Sequence, residues 1–381
     1  MSPATKRLVA VLVVGLGTLG AGGTASSVPR WSRPERSAAS FRADAAAVTA
    51  SADAEWRLSP GGSRIGLIMS VAVCGHEAFL LDRQLGVVHR ADLNAGTITG
   101  DATSRGIRQV AGLAADCSRR VLYIVDGRGV GVFNMDSGAK LARFAKPDNF
   151  VNSIGTPVLD ESSHTLAVPG VWSSQSNWRS KPADRMFEND RIGYRLDLTR
   201  GTTSPMVASV ERGCWSLGPN CLYATLDGVT GSRRARWLAA HVVGMSVGVY
   251  DANYRLLRTI DVRSPQFREN GERNERQSLT EMVAWNEDNS VIRQVYGFGD
   301  RIVTVHSFNR TRGWKPGGQT DFEVFMNVHS TDGDGVVSDV RLRDLPVGRD
   351  DRALYVVDYG NAGRRLLSAD PVWLMRVAVP Q

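Results

Sequence analysis

One supersecondary unit recurs along this chain of 381 residues. An apolar strand ends in Asp, a polar turn follows, and a second strand runs into a turn rich in Gly or Asn. The segment 122–126, Leu-Tyr-Ile-Val-Asp, recurs as Leu-Tyr-Val-Val-Asp at 354–358, and more loosely at 79–82 and 222–227. Because the unit returns about every 40–50 residues and contains strands without helices, it restricts the fold to repeated antiparallel sheets.

The clearest repeat, residues 110–147, contains four strands joined by polar turns, which is the composition of one β-propeller blade. Six such units fit the chain, at 67–101, 110–147, 155–211, 220–265, 290–343 and 344–380. The sequence therefore predicts an all-β fold, a six-bladed β-propeller of four-stranded antiparallel blades. Five or seven blades are the alternatives. The strand at 56–58, Trp-Arg-Leu, is expected to pair with the last blade and close the ring, which removes free sheet edges.

The N-terminus has the features of an export signal. Lys6 and Arg7 precede an apolar run at 8–19, and small residues follow at 23–25. This order predicts a signal peptide at 1–25, cleaved after Ala25, and hence a secreted or periplasmic bacterial protein. An uncleaved N-terminal anchor is the alternative. Residues 26–55 are rich in Ala and Ser and predict a flexible linker, and 56–381 form the propeller domain.

The charge of the chain argues against nucleic acid as a partner. The formal net charge is +7, with 46 basic and 39 acidic residues. Removing residues 1–25 takes away two basic residues and no acidic one, which leaves 44 − 39 = +5. No basic run is interleaved with aromatic residues, so the charge indicates a solvated surface. We expect a monomer without a transmembrane helix other than an uncleaved signal.

Export makes disulfides possible for the four cysteines. Cys214 and Cys221 flank a short loop, so a local bridge between them is geometrically easy. Cys74 and Cys117 occupy matching points in two successive repeats, which neighbouring blades place near each other. Two local disulfides are therefore expected. Four cysteines allow three connectivities, and four buried thiols are the rival interpretation. No cysteine or histidine spacing indicates a zinc site.

Three insertions, at 171–189, 263–277 and 308–319, interrupt the repeats. Long loops on a rigid β scaffold are where binding residues usually lie. Aromatic rings beside amide and guanidinium groups could stack on, and hydrogen-bond, a sugar or an aromatic ligand. The candidate ligand-binding residues are Trp172, Asn177, Trp178, Arg179, Arg312 and Trp314. The alternative is that these Trp side chains cover blade edges and are buried locally.

Other motifs in the chain are better explained by the fold. Gly15–Gly20 matches a dinucleotide fingerprint but lies in the export signal. Gly244–Gly248 matches the nucleophile-elbow pattern, but a strand and turn follow it where a helix is required. The segment 332–335, Asp-Gly-Asp-Gly, predicts a tight hairpin rather than a calcium loop. The six histidines show no shared metal spacing, although His306 and His329 lie on strands of one blade and could face each other.

With these repeats, the chain resembles the secreted bacterial six-bladed propellers of the NHL-like superfamily. Some members of that superfamily are metal-dependent lactonases, whose ion is held by a Glu, two Asn and an Asp in the central channel. Asn149, Asn152, Asp160 and Glu281 are the right residue types but do not match that motif position by position. The resemblance therefore implies the fold and transfers no catalytic role.

We expect an extracytoplasmic binding module that holds a small molecule, glycan or peptide through loops at the channel mouth, without a cofactor. The alternative is a metal-dependent hydrolase or lyase with Ca²⁺ or another divalent cation in the channel. A structural component of an envelope assembly is a third hypothesis. Propellers host many unrelated activities, so the fold does not select among these.

Overall fold

The computed structural model contains six antiparallel sheets arranged as the blades of a propeller. It describes residues 50–61, 64–103, 106–152, 155–172, 191–208, 224–229, 236–241, 246–261, 264, 266–267, 290–309, 322–330, 335–359 and 370–380. No α-helix occurs in these residues, so none of them forms a helix long and apolar enough to cross a membrane. The all-β, six-bladed prediction is confirmed.

The first strand, β1 (Ala54–Leu58), belongs to the last blade, and blades 1 to 3 follow it in chain order. Blade 1 consists of β2 (Ile68–Cys74), β3 (Glu77–Asp82), β4 (Val87–Asp92) and β5 (Thr97–Asp101). Blade 2 consists of β6 (Gly112–Asp116), β7 (Val121–Asp126), β8 (Gly129–Asn134) and β9 (Lys140–Ala145). Blade 3 consists of β10 (Phe150–Asn152), β11 (Val158–Asp160), β12 (Thr165–Trp172), β13 (Arg191–Asp197) and β14 (Thr203–Ala208).

Blades 4 to 6 complete the ring. Blade 4 consists of β15 (Ala224–Gly228), β16 (Trp237–His241), β17 (Ser246–Tyr250) and β18 (Leu256–Asp261). Blade 5 consists of β19 (Val291–Phe298), β20 (Arg301–Asn309), β21 (Phe322–Ser330) and β22 (Gly335–Leu342). Blade 6 consists of β23 (Pro346–Arg349), β24 (Ala353–Asp358), β25 (Val372–Ala378) and β1.

The inner strand of blade 3 is interrupted. Its two parts, β10 and β11, pair with opposite ends of β12, with Phe150 opposite Trp172 and Val158 opposite Ala167. Blade 3 consequently begins at Phe150, five residues before the expected start at 155. The predicted boundaries of the other blades agree with the observed strands to within a few residues.

Short side-chain contacts explain why the strands end at Asp or Asn. The Oδ1 atom of Asp92 accepts hydrogen bonds from the backbone N–H groups of Asn94 (2.8 Å) and Ala95 (3.1 Å). A side-chain oxygen that holds the N–H groups two and three residues on favours a turn over a continued strand. The same pair of contacts recurs at Asp82, Asn134, Asp160, Asp197 and Asp350.

Apolar side chains fill the spaces between neighbouring blades. Between blades 6 and 1, for example, Leu80, Tyr355 and Leu374 belong to one buried cluster. Burying a side chain the size of Leu contributes about 1.5–3 kcal/mol, so these interfaces hold the blades together. The inner strands also contact directly, since Ser70 on β2 exchanges two hydrogen bonds (3.3 and 3.2 Å) with the backbone of Leu113 on β6.

The N-terminal strand closes the ring, as predicted. β1 lies outermost in blade 6 and pairs with β25, with Trp56 opposite Leu374 and Leu58 fully buried. The adjoining residues extend this closure to both neighbours. The N–H of Ala50 donates to the carbonyl of Arg341 in blade 5 (2.9 Å), and the carbonyl of Ser59 accepts from Ile98 in blade 1 (2.9 Å).

We call the end of the ring where the innermost strands begin the upper face, and the end where they finish the lower face. Because strands alternate in direction, the second strand of each blade ends at the upper face. The hairpins that join the first strand to the second, and the third to the fourth, lie at the lower face. The two faces therefore carry different connections of the chain.

A disulfide between Cys74 and Cys117 joins blades 1 and 2 at the lower face. Cys74 is the last residue of β2, and Cys117 follows β6 directly. Their Cα atoms are 5.5 Å apart, within the normal disulfide range, and this predicted bridge is confirmed. Cys214, Cys221 and the predicted signal peptide at 1–25 lie outside the described residues. β1 begins at Ala54, two residues before the expected start of the propeller domain.

Candidate functional site

An ion pair crosses the ring at the lower face. Arg349, the last residue of β23 in blade 6, reaches Asp227 on β15 in blade 4. The Nε atom lies 2.9 Å from Oδ2 of Asp227, and Nη2 donates to Oδ1 at 3.0 Å. The N–H of Gly297, on β19 of the intervening blade 5, donates to the same Oδ2 at 2.9 Å. One carboxylate thus ties the inner strands of three blades together.

The surroundings of this pair are aromatic and dry. The guanidinium lies over the ring of Phe298, 5.5 Å from its centroid. Burial raises the pKa of Asp227 against the opposing charge of Arg349. Burial also raises the pKa of the Tyr296 hydroxyl, and the Asp227 charge adds to this effect. Since its hydrogen bonds are made within the ring, this pair has a structural role.

Gly297 makes the crossing possible. A Cβ atom at this position would lie 2.6 Å from the carbonyl oxygen of Gly228 in blade 4, closer than real Cβ contacts allow. Any other residue at 297 would therefore push blades 4 and 5 apart. The same holds where Gly348 of blade 6 meets the backbone of β2 in blade 1. The inner strands consequently lie close together around the axis.

The upper face carries all the long connections between described strands. Five connections exceed ten residues, namely the 18 residues of 173–190, the 15 of 209–223, the 29 of 262–290, the 12 of 310–321 and the 13 of 359–371. All five lie between strands whose facing ends are at the upper face, and they belong to blades 3 to 6. The longest lower hairpin, 229–236, has eight residues. The extra chain is therefore attached to one face and one side of the ring.

Trp172 is the one candidate ligand-binding residue that the structure describes. It is the last residue of β12, at the upper face, and the 18-residue connection follows it directly. Its half-buried side chain packs against the cluster between blades 2 and 3, with its ring 6.3 Å from that of Tyr194. The ring is thus held by packing. Asn177, Trp178, Arg179, Arg312 and Trp314 lie outside the described residues, so their binding role stays a prediction.

Two aspartates of the repeated motif hold the strands of their own blade together at the upper face. The Nη1 and Nη2 atoms of Arg143 donate to the carboxylate of Asp126, at 2.8 and 2.7 Å. In blade 1, buried His89 lies between two carboxylates, 3.2 Å from Asp82 and 3.0 Å from Asp101. These contacts join the second strand to the outer strand of the same blade. The motif that reveals the fold is structural at both positions.

A group of buried polar side chains lies between blades 4 and 5. His306 on β20 and His329 on β21 occupy the same face of blade 5, as the sequence suggested. The Oγ atom of Ser264 lies 3.5 Å from Nε2 of His306 and hydrogen-bonds to Asp339. In a Ser-His-Asp triad the imidazole bridges the other two groups, whereas here Ser264 does. Burial also lowers the pKa of His306 to about 3, which disfavours a role as general base.

The other expected chemical motifs do not assemble into a site among the described residues. No group of three or more His, Cys, Asp or Glu side chains in this part of the chain could hold a metal ion. Asn149 precedes β10 and Asp160 ends β11, so they lie at opposite ends of one inner strand. For Asn152 the structure describes the backbone but not the side chain, and Glu281 lies outside the described residues. The metal-dependent alternative stays a prediction.

The nucleophile-elbow pattern falls on a hairpin. Ser246 begins β17 and pairs with Asp261 on β18. The chain continues from Ser246 as a strand to Tyr250, so the helix that an elbow requires is replaced by extended backbone. The same reasoning applies at 332–335, where β21 and β22 are adjacent antiparallel strands. The prediction of Ser246 as a strand residue is confirmed, and residues 332–334 lie outside the described residues.

The sequence did not reveal the pair of Asp227 and Arg349. Asp227 ends one of the loose copies of the repeated motif, which suggested a turn residue. Arg349 precedes Asp350, which does begin a turn. A usable signal was Gly228 beside Asp227 and Gly348 beside Arg349, because glycines within strands often mark a close approach of backbones.

No known protein family matches the chain, and no curated protein matches it. Among solved structures, it is similar to a member of the DUF4221 family from Bacteroides vulgatus ATCC 8482. The TM-score is 0.58 and the identity 10%, over 87% of this chain and 98% of that chain. It is also similar to a protein of Bacteroides fragilis NCTC 9343 assigned as exported, with a TM-score of 0.52 and 8% identity, over 86% and 95% of the two chains. At these identities the likeness shows the fold alone.

Proposed function

We propose that this protein is an extracytoplasmic binding module that recognises a small molecule, glycan or peptide at the upper face of blades 3 to 6. One observation carries the proposal: the five connections longer than ten residues all belong to that face, and the lower hairpins have at most eight residues. Binding residues concentrate on long connections that a rigid β scaffold positions. The NHL-like relationship is part of this proposal.

The disulfide supports the extracytoplasmic part of the proposal. Bridges such as Cys74–Cys117 form and persist in oxidising compartments and are rare where cellular thiols keep cysteines reduced. The predicted signal peptide at 1–25 gives a route to such a compartment. Labelling of intact cells with a membrane-impermeant reagent tests the predicted location separately from ligand binding.

The ion pair at the lower face supports the choice of the upper face. Arg349 and Asp227 cross the ring there, and their hydrogen bonds are made with each other and with the backbone of blades 4 and 5. A ligand on that side would compete with a buried, bidentate pair. The upper end is where the long connections and Trp172 lie.

A binding screen followed by paired variants tests the proposal. The purified protein without residues 1–25 is screened against a glycan array, a peptide library and a small-molecule library, and hits are measured by fluorescence titration. Trp172→Phe keeps an aromatic ring for packing, whereas Trp178→Ala and Trp314→Ala remove candidate stacking surfaces. Removing an aromatic side chain on which a ligand ring stacks costs about 1–3 kcal/mol of binding free energy, so we expect affinity to fall about 5- to 150-fold in at least one Ala variant.

Arg119→Ala is the matched control, because Arg119 is exposed on a lower hairpin of blade 2. We expect this variant to bind with unchanged affinity. The proposal is wrong if no glycan, peptide or small molecule of the screen binds, or if Arg119→Ala weakens binding while the upper-face variants do not.

A further inference from the structure

The junction between blades 4 and 5 contains a group of buried polar side chains beside its apolar residues. Five polar side chains of blade 5 lie there with at most 8% of their surface exposed: Thr304, His306, Asn327, His329 and Asp339. We call these five, together with Ser264 and Phe267, the 4–5 seam. The seam also contains apolar residues of both blades, among them Leu238, Val249 and Ile302.

His306 is enclosed at the centre of the seam. Its ring lies 5.1 Å from that of Phe267 and stacks on Phe325 at 5.5 Å. Phe267 belongs to the segment after β18, so the contact fastens that segment to blade 5. Thr304 pairs with Asn327 on the neighbouring strand, and residues two apart on a strand share a face. The five polar side chains therefore form one continuous patch.

The hydrogen bonds around His306 suit a neutral ring better than a charged one. Nε2 is 3.5 Å from the Ser264 hydroxyl, which is engaged with Asp339. Nδ1 lies near the Asn327 side chain without a hydrogen bond of normal geometry. An imidazolium needs two acceptors, because both of its nitrogens donate. Protonation would therefore leave a buried charge poorly satisfied.

The charged groups that face His306 do not replace those acceptors. From blade 5 these are His329 on β21 and Asp339 on β22, with the ion pair of Glu323 and Arg341 at the outer end of the face. From blade 4 they are Asp227 on the innermost strand and Arg258 on the outermost strand, which are the first and last residues of one row of paired residues across the four strands. Asp227 is committed to Arg349. Among these groups only Asp339 places a carboxyl group next to the ring; it accepts from Ser264, and burial raises its pKa, which weakens it as a counter-charge when the pH falls.

We infer that the 4–5 seam is an acid-responsive junction: when His306 becomes protonated, blades 4 and 5 separate there before any other pair of blades, and Phe267 is released from the upper half of blade 5. The inference does not require the proposed ligand, because opening of the seam is a property of the ring itself. It adds a conformational response to acidification on the side of the ring that carries the long connections.

The coupling between proton binding at His306 and opening of the 4–5 seam gives the direction and the size of the pH response. Burial depresses the pKa of His306 in the closed seam to about 3, below the ordinary value of about 6.5 that it regains when exposed. The open state therefore binds the extra proton, and the closed seam is favoured above pH 6.5 and loses stability as the pH falls below that value. Between pH 7 and pH 5 the opening constant rises by (1 + 10^1.5)/(1 + 10^−0.5), about 25-fold.

Hydrogen exchange measured by mass spectrometry tests the inference. The whole protein without residues 1–25 is exchanged at pH 7 and pH 5, and the rates are corrected for intrinsic exchange. Since exchange through local opening follows the opening constant, we expect β17, β20 and β21 to exchange about 25-fold faster at pH 5. Strands β3, β7 and β8 of blades 1 and 2 should change less than threefold.

Two substitutions of the same residue separate titration from packing. His306→Phe keeps an aromatic ring between Phe267 and Phe325 but cannot be protonated, and His306→Gln serves if the Phe variant does not fold. We expect either variant to lose most of the 25-fold response. His76→Gln, at an exposed histidine on a lower hairpin, should keep it. The inference is overturned if all blades respond equally, if the wild type responds less than threefold, or if the folded His306 variants respond like the wild type.

Discussion

Removing Arg349 should destabilise the ring strongly, because the residue neutralises a carboxylate that has almost no access to water. Asp227 has 5% of its side chain exposed and Arg349 has 18%. In Arg349→Met the carboxylate keeps the N–H of Gly297 but loses two charge-assisted hydrogen bonds. Breaking a buried pair by removing one partner typically costs 3–5 kcal/mol, so the free energy of unfolding should fall by about that amount.

Removing both charges should cost less than removing one. In the double variant Asp227→Leu with Arg349→Met, no buried charge remains, and apolar side chains replace the pair beside Phe298. The N–H of Gly297 then loses its acceptor, which costs about 1–3 kcal/mol. We therefore expect the double variant to be more stable than Arg349→Met alone, although less stable than the wild type. This order distinguishes an unpaired charge from a general loss of packing.

Urea unfolding followed by far-ultraviolet circular dichroism measures these differences. Arg352→Met is the control, because Arg352 and Asp351 form an exposed pair at the same face, with 81% and 78% of their side chains accessible. Such a pair contributes about 0–1 kcal/mol. The reasoning is refuted if Arg349→Met costs no more than Arg352→Met, or if the double variant is less stable than Arg349→Met.

Three further outcomes follow from the contacts between blades, each measured by urea unfolding. Replacing Cys74 and Cys117 by Ser should lower the free energy of unfolding by about 4 kcal/mol, from the loop entropy of a 43-residue separation, and reduced wild-type protein should match the variant. Gly348→Ala places a Cβ against the backbone of β2 and should cost about 2–3 kcal/mol, as overpacking of a core does. In Gly228→Ala the nearest atom to the new Cβ is a side-chain carbon at 3.3 Å, so this variant should cost less. Leu58→Ala should cost about 2–5 kcal/mol, because the side chain is fully buried where β1 closes the ring; a cost below 1 kcal/mol would contradict that role.

The fold was predictable from the sequence because its repeat is held by local chemistry. The carboxylate of Asp92 acts on backbone groups two and three residues away, so the residue order alone indicates the turn. Alternation of apolar and polar residues within each strand is local as well. Closure by the strand at 56–58 was predictable for a different reason, since a ring of blades leaves an unpaired edge unless one terminus completes it.

The contacts that join distant blades were not predictable in the same way. Asp82 and Asp227 end similar sequence motifs, yet one holds a turn and the other holds a guanidinium 122 residues away in the chain. Gly228 beside Asp227 marks a close approach of backbones but does not specify the partner. His306 and His329 could be assigned to one blade, but the contribution of Ser264 arises from a segment outside that blade. Long-range pairing therefore limits what the sequence gives for the interior of the ring.

The ligand-binding role of the insertions stays a prediction, and the structure bears only on where the regular strands end. The three predicted insertions overlap three of the five long connections, whereas those at 209–223 and 359–371 were not marked, and the strand ends place all five on one face. Trp172 was assigned to an insertion, whereas it is the last residue of β12 and packs against the neighbouring blade. A tryptophan at the end of a strand and one in a loop look the same in a sequence.

The path of the chain into the ring decides how the molecule can be anchored. Ala50 meets Arg341 near the upper end of β22, whereas Pro380 accepts a hydrogen bond from Arg301 on a lower hairpin of blade 5. A bead or a sensor chip attached next to Pro380 would thus hold the propeller from beneath. Mounted in this way, the molecule would turn the opposite side outward, toward whatever diffuses past.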